Sequence, residues 1–128
     1  LNILLLVSYN IIILANFFRH TYIEHKTQRM VSRRMNPVKV PGKNNKHKVL
    51  MYTISTCAWC KQAKDFLKSN GVEYEYVDVD LSSREDSERI RKDILNRKGR
   101  LSYPTVIIDD KILINGFRKD DIKGALEI

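Results

Sequence analysis

Residues 1–18, LNILLLVSYNIIILANFF, form an uncharged apolar run interrupted by Asn2, Ser8, Asn10 and Asn16. As a helix it would span about 27 Å, close to the thickness of a bilayer core. From His25 to Lys48 the pattern dissolves into basic residues mixed with Pro37, Pro41, Gly42 and Asn44-Asn45. No helical or strand period survives there, so a linker is expected. Periodicity returns at Lys48–Ile54, KVLMYTI, a short β-prone run that Ser55-Thr56 ends. Cys60, Ala63, Phe66 and Leu67 then recur at helical spacing, with Gly71 as the stop. Val72–Asp80, VEYEYVDVD, alternates as a strand with one polar face. Ser82 to Glu85 has the capping-box spacing, and Ile90, Ile94 and Leu95 mark one face of a second helix. Pro104–Asp109 and Lys111–Asn115 are two strands joined at Asp109-Asp110. A last helix begins at Lys119 or Asp120 and turns Ile122, Ala125 and Leu126 inward. The order is βαβαββα, an α/β fold with a four-stranded mixed sheet flanked by helices. The expected organisation is an apolar segment at 1–18, a basic linker at 19–47 and a folded domain at 48–128.

Charge sharpens this division. Nine of the 23 Lys and Arg residues lie before Val49 with a single acid, Glu24, whereas residues 49–128 carry fourteen of each sign. A nucleic-acid-binding domain concentrates positive charge on a folded face, so a neutral domain behind a basic leader argues against that class. No positive residue precedes the apolar run and no small-x-small site follows it, unlike a secretory signal peptide. The basic flank comes after it, which fits an N-out, C-in anchor holding the domain in the cytoplasm, with the linker's charge available to anionic lipid. The alternative is a start assigned too far upstream: Leu1 is not Met, and initiation at Met30 or Met35 would remove the whole run. Five Gly and three Pro exclude collagen-like and low-complexity chains. The 80 residues from Val49 would bury roughly 60–65% of their unfolded surface, enough for a small core.

Both cysteines fall in one stretch, Cys57-Ala58-Trp59-Cys60, which indicates redox or metal chemistry rather than a disulfide framework. The stretch sits where a strand hands over to a helix. Cys57 would meet free backbone N–H groups and the positive end of the helix, which lowers a thiol pKa. Cys60 comes round to the same face, so the two sulfurs can close a ring. Cys57 would attack a disulfide as thiolate and Cys60 would resolve the mixed disulfide. Zinc wants four ligands, and there is no second CxxC; His20, His25 and His47 all precede residue 48. A metal or Fe–S cluster shared by two chains through their CxxC pairs stays open, as do two inert core thiols.

Other residues carry weaker signals. Trp59 is expected to face solvent as part of a docking surface, or to pack partly. Lys61 would either support a thiolate or simply be an exposed helical lysine. Asp65 and Lys68 are expected surface charges, and Tyr52, Tyr74 and Tyr76 packing residues. Asp78 and Asp80 are expected to be a solvated strand end rather than paired acid–base carboxylates.

Over residues 48–128 the chain resembles the glutaredoxin and thioredoxin superfamily, through VLMYTISTCAWCKQAKDFL, Tyr103-Pro104-Thr105 and NGFRKDDI. The resemblance implies a thioredoxin-like fold and a cis proline at Pro104 facing the cysteines, with the Tyr103 backbone presented to an extended substrate. It makes Cys57 and Cys60 catalytic and puts Trp59, Tyr103, Pro104, Gly116 and Phe117 at substrate-binding positions, with no metal ligand. Two departures matter. Glutathione-using glutaredoxins usually carry a lysine just before the CxxC, where this chain has Ile54, Ser55 and Thr56, and a Gly-Gly-x-Asp-like turn where it has Asn115-Gly116-Phe117-Arg118. The latter is similar to the Ser-Gly-Phe-Arg segment of NrdH-type redoxins. That likeness implies a monomeric thiol–disulfide oxidoreductase, an electron carrier in cell redox homeostasis that reduces protein disulfides such as that of ribonucleotide reductase. Its electrons would come from a flavoprotein or other disulfide reductase, or from glutathione as co-substrate, with no cofactor beyond the Cys57–Cys60 disulfide. The alternative is a dimeric metal or Fe–S scaffold without turnover.

Overall fold

Five strands assemble into one sheet: β1 (Val38–Val40), β2 (Val49–Thr53), β3 (Tyr74–Asp78), β4 (Thr105–Ile108) and β5 (Ile112–Asn115). Helices α1 (Ala58–Ser69), α2 (Arg84–Asn96) and α3 (Lys119–Leu126) pack on it, and a 3-10 turn spans Val79–Leu81. The computed structural model describes residues 35–128. Strand order is β1-β3-β2-β4-β5, with β2 and β3 parallel and every other pair antiparallel.

The sheet buries both faces. Met51, Val106, Ile108 and Ile114 point to the side covered by Ala63 and Leu67 of α1 and Ile122 and Leu126 of α3. Tyr52, Val77 and Ile107 point to the other side, beneath Ile90 and Ile94 of α2. All four residues of β4 are buried, as expected of a central strand covered on both faces. Each fully buried Ile or Leu contributes about 1.5–3 kcal/mol relative to an exposed one, so the shared β2–β4 register is strongly specified.

The α/β architecture and the thioredoxin-like order follow the expectation, with differences at several places. The sheet has five strands, because Val38–Val40 pairs antiparallel with β3. Three β-branched or long residues between Pro37 and Pro41 are too few to show a period, and prolines are tolerated at a sheet edge. The linker expected at 19–47 therefore enters the domain. One compact unit begins at Met35, not at residue 48, and Lys39, Lys43, Lys46 and Lys48 belong to it. Excess positive charge is thus shared between leader and domain. Residues 1–34, and with them the anchor and start-site readings, lie outside the described residues. Among the described residues no helix is long and apolar enough to cross a membrane.

Strand β3 stops at Asp78, where its partner β2 runs out at Thr53, and the unpaired residues wind into the 3-10 turn, closed by Ser82 N–H donating to the Val79 carbonyl. Ser83, not Ser82, caps α2, accepting the Asp86 N–H at 3.1 Å, while the Ser82 hydroxyl donates to the Asp78 carbonyl. Leu95 is half exposed, so the buried stripe of α2 is Ile90 and Ile94. The β4–β5 turn has Asp109 and Asp110 both at positive φ (53° and 56°), the backbone a primed hairpin turn needs.

Candidate active site

Cys57 caps the N-terminus of α1 in extended backbone, and its sulfur accepts the Cys60 N–H at 3.3 Å. The preceding turn is closed by the Cys57 N–H donating to the Ile54 carbonyl at 3.1 Å. This local structure follows from a β strand that ends at Thr53, a Ser55-Thr56 turn and a helix that starts without an acid in its first turn. Helix-terminal N–H groups stabilise a sulfur anion there. Partial burial opposes the Cys57 thiolate, but hydrogen bonds from the Cys60 thiol and from the Cys60 and Trp59 backbones outweigh it, so its pKa falls below that of an ordinary thiol. Cys60, one turn on, is 1% exposed. Burial first, then its hydrogen bond to Cys57, push its thiol up to about 12, with the Lys64 charge opposing. Both thiols are unbonded to one another. The dithiol is therefore asymmetric: an accessible sulfur that ionises easily beside a buried one that does not.

The antiparallel pairing of β2 with β4 brings the head of β4 to the same sheet end as the cysteines. The Tyr103–Pro104 peptide is cis, Pro104 is buried, and the Tyr103 carbonyl oxygen lies 4.0 Å from the Cys57 sulfur. Asn115 braces the segment leading there. Its side chain accepts the Arg100 N–H at 2.8 Å and donates to the Arg100 carbonyl and the Thr105 hydroxyl. Gly116 adopts φ +81°, and its N–H donates to the Pro104 carbonyl at 2.7 Å. A side chain at Gly116 would be strained by that positive φ.

Trp59, 61% exposed, stands on the surface beside Cys57 in the chain. Phe117 is brought to the same region of fold but turns inward, its ring edge-on to Phe66 of α1 at 5.7 Å. His47 belongs to the domain after all, at the opposite sheet end, with Nδ1 2.7 Å from Asp109. Among the described residues no three His, Cys, Asp or Glu side chains gather so as to hold a metal. Grooves of about 750 and 440 Å³ lie between β5 and α3 and around His47, and neither is lined by the cysteines.

Two polar clusters lie at the cysteine end: Asp78 is half-buried rather than at the solvated strand end expected for it, whereas Asp80 is exposed as expected. Asp78 accepts from the Thr53 hydroxyl at 2.6 Å and pairs with Lys64 at 3.3 Å; the Lys64 ammonium also sits 3.6 Å from the Tyr76 ring centroid. Asp80 accepts both the backbone N–H (2.9 Å) and the hydroxyl of Ser55. The hydroxyl bond first, then the backbone bond, hold its carboxyl below the usual range. The parallel β2–β3 register is the signal that would have located them, because it sets residue 78 beside residue 53.

The Glutaredoxin family model matches residues 49–113, just over half of the chain. This chain belongs to the glutaredoxin family. It is 31% identical over 79 residues to an uncharacterized glutaredoxin-like 8.6 kDa protein in the rubredoxin operon of Clostridium pasteurianum, covering 62% of this chain and 97% of that one. Among solved structures it is similar to the glutaredoxin of Methanosarcina mazei, at TM-score 0.66 and 35% identity over 72% of this chain and 88% of that one. Methanosarcina acetivorans methanoredoxin gives TM-score 0.60 and 40% identity over 63% and 85%. Family membership makes this glutaredoxin-like chain a thiol–disulfide oxidoreductase in general terms, and its Cys57–Cys60 pair fits that chemistry.

Proposed function

We propose that the chain is a dithiol reductant of protein disulfides, with the Cys57–Cys60 pair as its only redox group. The observation that carries this reading is the asymmetry of the pair, a pKa lowered at half-buried Cys57 and raised at fully buried Cys60. The Cys57 thiolate attacks one sulfur of a substrate disulfide. A Cys57–substrate bond forms, the substrate S–S bond breaks, and the departing thiolate takes a proton from solvent. Cys57 then carries no charge and accepts no hydrogen bond from Cys60, which removes two of the influences that held the Cys60 proton. Cys60 ionises and attacks the Cys57 sulfur, and the electron pair leaves with the second substrate sulfur. Substrate departs with two electrons and two protons, and the protein departs as the Cys57–Cys60 disulfide.

Trp59, Tyr103, Pro104 and Gly116 frame an extended substrate in this reading. The absence of a lysine at residues 54–56 and the Asn-Gly-Phe-Arg turn favour protein disulfides, ribonucleotide reductase among them, over glutathione adducts, and an NrdH-like electron supply from a flavoprotein reductase. The basic residues following the apolar run support a cytoplasmic position, tethered where residues 1–18 insert. The test is insulin-disulfide reduction. Cys57→Ser is expected to abolish turnover and Cys60→Ser to trap a mixed disulfide; full activity of Cys57→Ser overturns the mechanism. Coupled turnover with a flavoprotein reductase, set beside glutathione plus glutathione reductase, decides the electron source, and a preference for glutathione overturns the NrdH-like supply.

A further inference from the structure

Ser55 stands two residues before Cys57, so their Cα atoms are at most about 7 Å apart. The carboxylate of Asp80 grips Ser55 with both oxygens, one on the backbone N–H at 2.9 Å and the other on the hydroxyl. Two bonds to one residue fix where this charge points, although the side chain is exposed. Lys64, whose charge reaches Asp80, is already paired with Asp78, and among the described residues no lysine or arginine forms an ion pair with Asp80. The first turn of α1 supplies no other acid. A fixed anion thus sits on the residue two positions before the nucleophilic cysteine, at a separation on the order of one screening length, about 10 Å at 0.1 M salt.

We propose that Asp80, held on Ser55, is a specificity-determining residue that disfavours disulfides flanked by carboxylates and favours those flanked by cations. The inference rests on the disulfide-exchange chemistry above and deepens it by stating the charge of the substrate. A glutathione disulfide, with carboxylates on both halves, belongs to the disfavoured class, and a disulfide in a neutral or lysine-rich segment to the favoured one. Coulomb's law over this separation in a largely aqueous setting gives discrimination of roughly 2- to 10-fold at low ionic strength.

The test uses the full chain carrying Cys60→Ser, so that one exchange step is read. The Cys57 thiolate attacks the probe disulfide, a Cys57–probe bond forms, and the second half of the probe leaves as thiolate and is released. Probes are dianionic 5,5′-dithiobis(2-nitrobenzoate) and dicationic cystamine, and the quantity read is the ratio of their rates. Any change in Cys57 ionisation cancels in that ratio. Asp80→Asn is expected to lower the cation-to-anion ratio about 2- to 10-fold in about 0.01 M salt, with the effect fading toward about 1 M salt. Asp80→Lys lowers it further, and Ser55→Ala, which keeps the charge, changes it less than either. An unchanged ratio in both Asp80 variants at low salt overturns the proposal. Failure of the parent protein to reduce insulin, with an Asp80-dependent probe ratio intact, instead overturns the protein-disulfide function and leaves this inference standing.

Discussion

The unequal ionisation of the two thiols has a measurable consequence in alkylation by iodoacetamide. Cys60, pushed up to about 12, holds roughly one part in 10⁵ as thiolate at pH 7, against about 3% for an ordinary cysteine. That is a deficit of about 3,000-fold in reactive species. A more basic thiolate is intrinsically more nucleophilic, with a Brønsted slope of about 0.4–0.5, which returns about 30- to 60-fold over a gap of some 3.5 units. Cys60 should therefore react about 50- to 100-fold more slowly than an ordinary cysteine. Its 1% exposure adds to that, and the lowered pKa of Cys57 widens the contrast from the other side. Reduced protein pulsed with iodoacetamide at pH 7 and mapped by mass spectrometry should carry label at Cys57 at least about 50 times faster. The Cys57 rate should level off below the ordinary thiol range as pH is raised, while the Cys60 rate continues to climb past about pH 10. Label entering the two positions within about 5-fold of each other in the folded protein, with equal labelling in urea as reference, would refute the argument.

Two further outcomes probe the scaffold. Gly42→Ala puts a Cβ 2.5 Å from the Glu73 nitrogen and the Gly71 oxygen and 2.6 Å from the Val72 carbonyl carbon. It must displace the segment whose Asn44 bonds Gly71 and Glu73 at 2.9 Å; overpacking and two weakened hydrogen bonds predict a loss of about 2–5 kcal/mol in urea unfolding, and a loss under about 0.5 would show that residues 35–48 are not integral to the domain. His47 lies 2.7 Å from Asp109 and 3.5 Å from Glu127, and its pKa is raised, by the Asp109 hydrogen bond first, against partial desolvation. A raised folded pKa stabilises fully below the unfolded value near 6.5 and is lost as pH rises through the folded value. The Tm advantage of the wild type over His47→Gln should accordingly shrink as pH rises above about 6.5, and an advantage that grows with pH contradicts the charge pair.

How much of this was legible beforehand depends on the length over which each signal acts. The strand before the cysteines, the amphipathic α1 and the largely apolar β4 declare themselves because four to twelve consecutive residues carry one local pattern. The Cys57–Cys60 site is equally local, since a four-residue spacing at a strand-to-helix junction already defines which sulfur caps the helix. Strand β1 escapes the same reading. Its three residues reveal themselves only through pairing with Tyr74–Tyr76, and the flanking prolines that mark a linker in sequence also suit an edge strand.

Asp78 and Asp80 mark a different boundary. Their alternation with Val77 and Val79 indicates a strand, which in the structure ends at Asp78 with Asp80 in the 3-10 turn beyond it, and it says nothing about what either carboxylate meets. The partners are Thr53 and Ser55, 25 residues earlier, and they become neighbours only because β2 and β3 are parallel with Thr53 opposite Asp78. A shift of that register by one residue would carry both carboxylates to other neighbours and exchange Tyr74 and Val77 between the two buried faces, so the packing of Tyr74 on one face and Val77 on the other is what fixes the charge beside Cys57. Substrate charge preference in this chain is then a consequence of core packing. Tyr52 and Val77 pack beneath the same helix, α2, and that packing sets Asp80 at the mouth of the site.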